Sequence, residues 1–240
     1  RTRTFIIAME RTVVPENFSF RMTDEEYRVL EKIKNSIPVC YLADHADFAL
    51  GIVTGNNKKF LSAEKTEHSE MVLKGTDICK YHINPVKQYL RFEPEQFQQV
   101  APLEIYRAPE KLLYRFISNQ LVVAYDDRQM LSLNSCNIVI PKIEGMQIKY
   151  ILAILNSSVS QFVYQKEFHS IKVLRAHMEH IPIPRVGKAI QNEIIAMTEP
   201  LICGMGKEAA ETCQKRLDCR IMDLFRLSAE EQWIIRHALH

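Results

Sequence analysis

The apolar residues of this chain change their spacing once, and that change is the strongest constraint on its fold. Between Ile148 and Val163 they recur at the i, i+3, i+4 and i+7 positions of an amphipathic helix, so we expect one long helix over residues 147–165. From residue 39 to residue 141, apolar residues instead come in short runs divided by polar turns, as in β-strands. The sequence therefore predicts an α+β fold, in which a β-rich lobe holds one long internal helix.

Helix signals also stand near both ends of the chain. Thr23 and Glu26 have the spacing of a capping box, which predicts a helix over residues 23–35, after a short β-type run at residues 5–9. At the other end, helical spacing resumes near residue 190, breaks at the glycines of "CGMGK", and continues to residue 226. Two long helices joined in this way predict an antiparallel helical hairpin.

Two further local patterns complete the expected secondary structure. Ser228 and Glu231 have capping-box spacing and predict a third, short C-terminal helix. The segment 170–186 contains Pro182 and Pro184, and we expect it to be non-helical because proline removes an amide donor and extends its predecessor.

The expected organisation has three parts. Residues 1–38 form an N-terminal strand and helix that either end a preceding domain or lead into this one. Residues 39–187 form the β-rich lobe with its internal helix, and residues 188–240 form the C-terminal helical hairpin.

Composition restricts the class of protein more than it identifies it. The chain has 240 residues, is 47% hydrophobic and 25% charged, and carries a formal net charge of +2, which is ordinary for a globular protein. No run approaches the roughly 20 apolar residues of a membrane span, and the start lacks a signal-peptide core, so we expect a soluble cytoplasmic protein without a membrane partner. Six cysteines without a CxxC pair are expected to be thiols in a reducing compartment. A start without methionine suggests a piece of a longer chain.

The sequence carries no recognised catalytic motif. It has no GxGxxG, no Walker loop, no HExxH and no GxSxG. Two clusters invite a metal or acid–base interpretation: "HMEH", with His177 and His180, and the adjacent carboxylates Asp126 and Asp127. We expect neither to form a site, because an extended segment does not bring those histidines together and adjacent carboxylates on a strand point apart. The prediction is therefore no catalytic residue and no metal ligand, and the alternative is a metal-dependent nuclease whose site is unrecognised.

The loop "GIVTGNNKKF" at residues 51–60 concentrates two glycines, two asparagines and two lysines. Glycine and asparagine tolerate unusual backbone conformations, and the amides and ammonium groups suit base edges and phosphates. The alternative is a hairpin turn with solvated lysines. Elsewhere, "LKGTDICKY", "YRAPEKLLYRF" and the segment 166–188 interleave basic and aromatic residues, which is typical of nucleic-acid binding. Each taken singly is more typical of a surface charge beside a core aromatic.

Eight short stretches occur in an order that carries a family resemblance: "GIVTGNNKKF", "LKGTDICKY", "YLRFEP", "PEKLLYRFI", "LVVAYDD", "LSLNSCNIVIP", "KYILAILNS" and "VLRAHMEHIPIP". Together they resemble the C-terminal specificity domain of Taq-type adenine methyltransferases and of type IIG restriction-modification enzymes. The tail "LDCRIMDLFRLSAEEQWIIRH" is similar to the helix that closes many such proteins. The resemblance runs from about residue 36 to the C-terminus.

This resemblance implies a target-recognition domain that reads a short double-stranded DNA sequence. It implies that this fragment positions DNA for an upstream adenine methyltransferase domain in the same polypeptide, in a type IIG restriction enzyme that also carries a nuclease. The fragment is then no enzyme and needs no cofactor, whereas the parent protein uses S-adenosylmethionine and Mg²⁺. "INPVKQY" at residues 83–89 lacks the second proline of the family's NPPY motif, so that catalytic role is not carried over.

The resemblance and the charge pattern together select candidate DNA contacts. For the DNA backbone they are Lys58, Lys59, Lys74, Lys80 and Lys172. For either the backbone or the bases they are Arg107, Lys111 and Arg115. For base or sugar edges they are Asn56, Asn57 and Tyr81. A different class of function remains open, a protein-interaction scaffold in which the helical hairpin over residues 188–226 docks a partner.

Overall fold

A computed structural model describes residues 22–168 and 170–239 of the chain. The predicted strand at residues 5–9 lies outside the described residues. Within the described part, no helix is both long enough and apolar enough to cross a membrane.

The first described helix, α1 (Asp24–Asn35), begins where the sequence predicts. The Thr23 hydroxyl accepts the Glu26 amide proton at 3.2 Å, and the Glu26 carboxylate accepts the Thr23 amide proton at 2.9 Å. This confirms the capping box, which satisfies two amides that a helix start otherwise leaves unbonded.

The remaining elements alternate short strands with helices. In chain order they are β1 (Val39–Cys40), β2 (Ala46–Ala49), α2 (Asn57–Phe60), β3 (Leu61–Ser62), β4 (Ser69–Leu73), β5 (Tyr89–Arg91), α3 (Leu103–Tyr106), β6 (Lys111–Arg115), β7 (Val123–Asp126), β8 (Leu131–Ser132), β9 (Cys136–Pro141), α4 (Ile148–Asn156), α5 (Ser158–Glu167), α6 (Arg175–Glu179), β10 (Ile183–Pro184), α7 (Lys188–Ile202), α8 (Lys207–Leu224) and α9 (Ala229–Ala238). The α+β fold with a C-terminal helical segment is confirmed.

The strands form two four-stranded sheets and one short pair. The first sheet has the order β2-β9-β6-β7 and is antiparallel throughout. The second has the order β3-β5-β4-β8, in which β4 and β8 run parallel. The short antiparallel pair joins β1 to β10.

The first sheet separates two hydrophobic cores. Along β6, Leu112 and Tyr114 belong to the larger core, whereas Leu113 between them belongs to the smaller one. Because successive side chains of a strand point to opposite faces, this alternation places one core on each side of the sheet. The larger core includes the helices α1, α4, α5 and α7–α9, and the smaller one includes the second sheet.

The structure corrects the expectation of one long internal helix over residues 147–165. Helix α4 ends at Asn156, and Ser157 has an extended backbone, with φ −69° and ψ 159°, and caps α5 by accepting the Ser160 amide proton. The Asn156 side chain accepts the Val123 amide proton at 3.1 Å and donates to the Val123 carbonyl at 2.8 Å. The apolar spacing runs through the break because both helices pack on the same core, so the periodicity does not reveal it.

The segment 170–186 also differs from expectation, since it contains the short helix α6. A proline restricts its own residue and the one before it. Pro182 and Pro184 therefore leave residues 175–179 able to form a helical turn, and the prediction of a wholly non-helical segment was wrong.

The C-terminal helices match the prediction closely. Helices α7 and α8 are antiparallel neighbours, since Arg220 forms a 2.6 Å ion pair with Glu193 and the Cys213 thiol donates to the Met197 carbonyl at 3.3 Å. Ser228 caps α9 through the expected capping box. Helix α9 also contacts α1, where Lys32 and Glu231 are 2.6 Å apart. The proposed domain boundaries at residues 38 and 187 remain a prediction.

Candidate functional site

A turn between β8 and β9 forms the centre of the candidate site, and two glycines allow the chain to pack against it. A Cβ atom on Gly51 would lie 2.1 Å from the Leu133 carbonyl oxygen, and one on Gly75 would lie 2.4 Å from the Ser135 carbonyl oxygen. Real Cβ atoms do not approach this closely, so both positions need glycine for backbone contact rather than for an unusual φ. This explains the first glycine of "GIVTGNNKKF".

Hydrogen bonds hold the same turn from both sides. The Leu133 amide donates to the Leu73 carbonyl at 2.8 Å, and the Asn134 amide donates to the Ile52 carbonyl at 3.1 Å. The Gly75 amide donates to the Ser135 hydroxyl at 3.0 Å. The turn is therefore fixed to two neighbouring segments, and it presents the exposed Asn134 at its tip.

The short helix α2 lies beside this turn and is positioned by its own polar side chains. The Asn56 side chain caps α2 by accepting the Lys59 amide proton at 3.2 Å. The Asn57 side-chain oxygen, Oδ1, accepts the Thr54 hydroxyl proton at 2.6 Å, which leaves the side-chain amino group of Asn57 as a donor. Gly55 has φ +75°, the left-handed conformation that turns the chain into the helix.

Helix α2 and the turn line two adjoining cavities. The larger, of about 450 Å³, is lined by Asn57, Lys58, Leu61, Lys74, Gln88, Leu133, Asn134 and Ser135. The smaller, of about 290 Å³, is lined by Val53, Thr54, Gly55, Asn57, Gln98 and Asn134. Asn57 and Asn134 line both, so we call the two cavities together the Asn57–Asn134 cleft. It lies at the end of the second sheet where β4 and β8 end and β5 begins.

The electrostatic character of the cleft is cationic. Lys58 and Lys74 line it, and among the described residues neither ammonium group has an ion-pair partner. No carboxylate is among the residues that line either cavity. Amide side chains and unpaired ammonium groups in one concave surface form a suitable contact for an anion with polar edges.

Two further predicted residues lie next to the cleft. Arg115 donates to the Gly75 carbonyl at 2.8 Å and to the Ile78 carbonyl at 2.6 Å, so its guanidinium group braces the loop after β4. The Phe116 amide donates to the Ser135 carbonyl at 3.0 Å, and the exposed Lys172 has its ammonium group 5.9 Å from the Phe116 ring centroid. Lys172 therefore extends the cationic surface beyond the turn.

Lys111 is a correction to the predicted DNA contacts. Its side chain is fully buried, and its ammonium group lies 2.5 Å from the equally buried Asp126 carboxylate and donates to the Tyr106 carbonyl at 2.6 Å. Burial lowers the pKa of Lys111, while the Asp126 charge opposes that shift. A charge that is buried and paired in this way is structural, so Lys111 is not available to a ligand.

Arg107 and Lys59 have protein partners as well. Arg107 pairs with Glu70 at 2.7 Å and donates to the Gln129 carbonyl at 2.8 Å. Arg107 is therefore held at the start of β4 by protein partners, and it is not among the residues that line either cavity. Lys59 donates to the Gln96 side chain at 2.6 Å and lies over the Phe60 ring.

Tyr81 is also a correction, because it is buried, and the partly buried Lys80 has its ammonium group bonded to the protein backbone. The Lys80 ammonium group donates to the Asn156 carbonyl at 2.9 Å, and burial lowers the pKa of Lys80. Tyr81 is only 2% exposed, and burial raises the pKa of its phenol well above the ordinary value. These residues join the loop after β4 to the α4–α5 junction and do not line the cleft.

The residues of the alternative nuclease site are not grouped in the structure. Asp126 is buried with Lys111, and its carboxylate also accepts the Arg128 and Met130 amide protons, each at 2.9 Å. His177 is largely buried, stacks on Phe168 at 4.5 Å between ring centroids, and has a pKa lowered by burial. Among the described residues, no three histidine, cysteine or acidic side chains are grouped to hold a metal ion.

Sequence reasoning missed part of the cleft. Gln88, Gln98, Asn134 and Ser135 line it but were not predicted as contacts. The polar pair "NS" within "LSLNSCNIVIP" was an available signal, because two turn-forming residues between two apolar strands indicate a tight connection. Gln88 and Gln98 carried no such signal, since they reach the cleft only through the pairing of distant strands.

Comparison with known proteins identifies the family. Residues 70–183 match the model of the TaqI-like C-terminal specificity domain. This segment includes Lys74, Gln88 and the 133–135 turn, but it begins after α2. A comparison with curated proteins found no match.

Solved structures show a similar fold at low sequence identity. The type IIL restriction-modification enzyme MmeI, solved in complex with DNA, aligns with 83% of this chain at 12% identity and a TM-score of 0.55. The type IIG restriction endonuclease BpuSI aligns with 93% of it at 13% identity and a TM-score of 0.52. The HsdS subunit from Thermoanaerobacter tengcongensis aligns with 90% of it at 14% identity and a TM-score of 0.45.

The chain covers 35% of the MmeI chain, 33% of the BpuSI chain and 50% of the HsdS chain. It therefore spans half or less of the length of these proteins. Its fold is shared with MmeI and BpuSI, and its sequence matches the specificity-domain model over the central lobe. Residues 70–183 of this chain belong to the family of TaqI-like C-terminal specificity domains, the target-recognition domains of restriction-modification systems.

Proposed function

We propose that this chain recognises a specific sequence of double-stranded DNA through the Asn57–Asn134 cleft and the adjoining cationic surface. The observation that carries this proposal is the composition of the cleft. It holds unpaired ammonium groups and amide side chains without any carboxylate. Ammonium groups bind phosphate oxygens, and amide side chains bind base edges.

Within this surface the lysines and the amides have different tasks. Lys58, Lys74 and Lys172 contact phosphates and fix the register of the duplex. The amide side chains of the cleft contact base edges and select the sequence. Arg115 supports the binding surface from behind, because its guanidinium group is already bound by two backbone carbonyls.

The parent protein follows as a second part of the proposal. An upstream domain in the same polypeptide transfers a methyl group from S-adenosylmethionine to adenine, and a Mg²⁺-dependent nuclease completes a cytoplasmic type IIG enzyme. The fold likeness to MmeI and BpuSI and the third of their length that this chain spans support this arrangement. Methylation requires the base to leave the stack at a cost of a few kcal/mol, and a separate recognition domain offsets this cost by binding the surrounding duplex.

The experiment is a salt titration of DNA binding. The 240-residue chain is titrated against a pool of random duplexes at several salt concentrations, followed by fluorescence anisotropy. Replacing Lys58, Lys74 and Lys172 together with alanine should weaken binding to all sequences. It should also reduce the slope of log affinity against log salt by about 2 to 3, because each phosphate contact contributes close to one unit.

The matched control removes the same charge from another surface. Lys188, Lys207 and Lys215 are exposed on the C-terminal hairpin, and their triple alanine variant should retain the salt slope. Equal effects of the two triple variants would contradict the proposal. Cleavage of DNA by this chain with Mg²⁺ would instead support the nuclease alternative.

A further inference from the structure

Some polar side chains of the Asn57–Asn134 cleft are hydrogen-bonded to the protein and others are not. The Asn134 side chain makes none with any described residue, although its backbone amide is held by Ile52. Gln88 lies on the same wall, and its side-chain oxygen is buried and lacks a donor among the described residues. Buried polar atoms in native proteins are nearly always bonded, so an unbonded oxygen at a concave surface is open to a donor from a ligand.

The position of Asn134 is set by backbone contacts rather than by its own side chain. The turn that carries it is held against Leu73, Ile52 and Gly75 by hydrogen bonds, and glycines at 51 and 75 let the neighbouring backbones touch it. Its side chain is exposed and unbonded at the tip of this fixed turn. A binding group on a rigid support loses little conformational freedom when a ligand arrives.

Gln88 lines the same cavity as Asn134 and offers a second side-chain amide. No hydrogen bond holds its amide in place, so turning this side chain into the cleft breaks no bond within the described part of the protein. This rotation of the Gln88 side chain would also expose its unbonded oxygen, and leaving such an oxygen buried is unfavourable. The cleft therefore offers one fixed amide and one adjustable amide, with Lys58 and Lys74 beside them.

The chemistry of these groups selects one base. A side-chain amide presents a donor and an acceptor side by side, and the major-groove edge of adenine presents the complementary N7 acceptor and N6 amino donor. Guanine presents two acceptors at that edge, and cytosine presents only a donor. An unbonded amide oxygen at Gln88 also requires a donor, and of the two purines only adenine presents one at that edge.

We propose that Asn134 reads an adenine of the recognition sequence by two hydrogen bonds in the major groove, assisted by Gln88, with Lys58 and Lys74 on the flanking phosphates. This inference rests on the proposed function and adds to it the base and the residues that select it. It concerns a base that is read within the duplex, whatever base the parent enzyme modifies.

The test selects bound duplexes from a random pool and sequences them, using the 240-residue chain. The wild-type chain should enrich an A·T pair at a defined position. Asn134→Ala should lower the preference at that one position by about 5- to 150-fold, the value of a bidentate base contact, while the salt slope stays unchanged. Asn192→Ala, an exposed asparagine on α7, is the matched control and should alter no position.

A second measurement identifies the contacted atom. In the selected sequence, the adenine is replaced by 7-deazaadenine, which lacks the N7 acceptor but keeps the N6 amino group. The wild-type chain should bind this duplex several-fold more weakly than the unmodified one, whereas Asn134→Ala should bind both equally. Gln88→Ala should weaken the adenine preference less than Asn134→Ala does.

Several results overturn the inference. An unchanged preference at every position in Asn134→Ala would show that Asn134 reads no base, even if the lysine triple variant loses binding and the proposed function stands. An equal loss on all sequences would make Asn134 a phosphate contact. A lost preference at a G·C pair would reject adenine. If the wild-type chain enriches no sequence, both this inference and the proposed function fail.

Discussion

The two ends of the second sheet use the same kinds of side chain in opposite ways. At the end where β4 begins, Arg107 is paired with Glu70, and Lys111 nearby is buried against Asp126. At the end where β4 stops, Lys58 and Lys74 have no ion-pair partner among the described residues. A basic residue beside an aromatic one is therefore not by itself a sign of ligand binding, because the same kinds of side chain are paired at one end of the sheet and unpaired at the other.

The largest expected effect is at the paired end. Lys111→Met should destabilise the fold by about 3–5 kcal/mol, because it leaves the buried Asp126 carboxylate without its counter-charge. Urea unfolding measures this. Lys142→Met is the matched control, since the Lys142–Asp47 pair is largely exposed, and it should cost less than about 1 kcal/mol. Equal losses in the two variants would remove the contrast between buried and exposed charges.

The next effect concerns the glycine that supports the cleft. Gly51→Ser should destabilise by about 1–3 kcal/mol, because its Cβ would lie 2.1 Å from a backbone oxygen of the neighbouring turn. Gly187→Ser is the control, since a Cβ there meets nothing within 4 Å and serine is a good helix cap. Thermal unfolding measures the stability of both variants. If Gly51→Ser is as stable as Gly187→Ser, the turn can move to accept the added side chain.

A smaller effect is expected at the contact of α1 with α9, where the Lys32–Glu231 ion pair is neither fully buried nor fully exposed. Burial raises the pKa of Glu231, but the hydrogen bonds from Lys32 and from Ser228 outweigh it, so the pKa lies below the ordinary value of 4.5. A carboxyl whose pKa falls on folding stabilises the protein above its unfolded pKa, and this stability is lost as the pH drops through the folded value.

Lys32→Met should therefore cost at most about 1 kcal/mol at pH 7, and this cost should fade below pH 4. Unfolding free energies at pH 7, 5 and 3 measure it. Lys65→Met, at an exposed lysine without an ion-pair partner among the described residues, should show no such pH dependence. A cost that stays constant with pH would mean that Lys32 contributes packing instead of charge.

The smallest effect is expected at the open end. Lys58→Ala and Lys74→Ala should each change the free energy of unfolding by less than about 0.5 kcal/mol, since neither lysine has an ion pair to lose. Denaturant midpoints measure this. A loss above 1 kcal/mol in either variant would mean that the lysine supports the fold, and the contrast between the two ends of the sheet would fail.

The sequence predicted the elements whose signals are local. The capping boxes at Thr23 and Ser228 were correct because the residues that form each one lie within a single turn of helix. The hairpin of α7 and α8 was correct because glycines interrupt a clear helical period. The break at Ser157 was missed because an apolar period continues across it, and only the contact of Asn156 with the edge strand β7 makes the interruption favourable.

The candidate site divides in the same way. Local composition selected Asn57, Lys58 and Lys74, which line the cleft, and it also selected Lys111 and Tyr81, which are buried. Nothing within a few residues of a lysine tells whether a carboxylate fifteen positions later will pair with it. Gln88 and Asn134 were missed because strand pairing brings them to α2 from distant parts of the chain.

By itself, the sequence determined the α+β class, the capped helices near both ends, and a family resemblance that the specificity-domain match confirms. These depend on short-range periodicity and on stretches of residues that can be compared in order. Only the tertiary structure decided which polar side chains share a surface and which neutralise one another. The reason is physical, because hydrogen bonds and charge pairs act over only a few ångströms. Residues that are distant in the chain come within this range only when the chain folds.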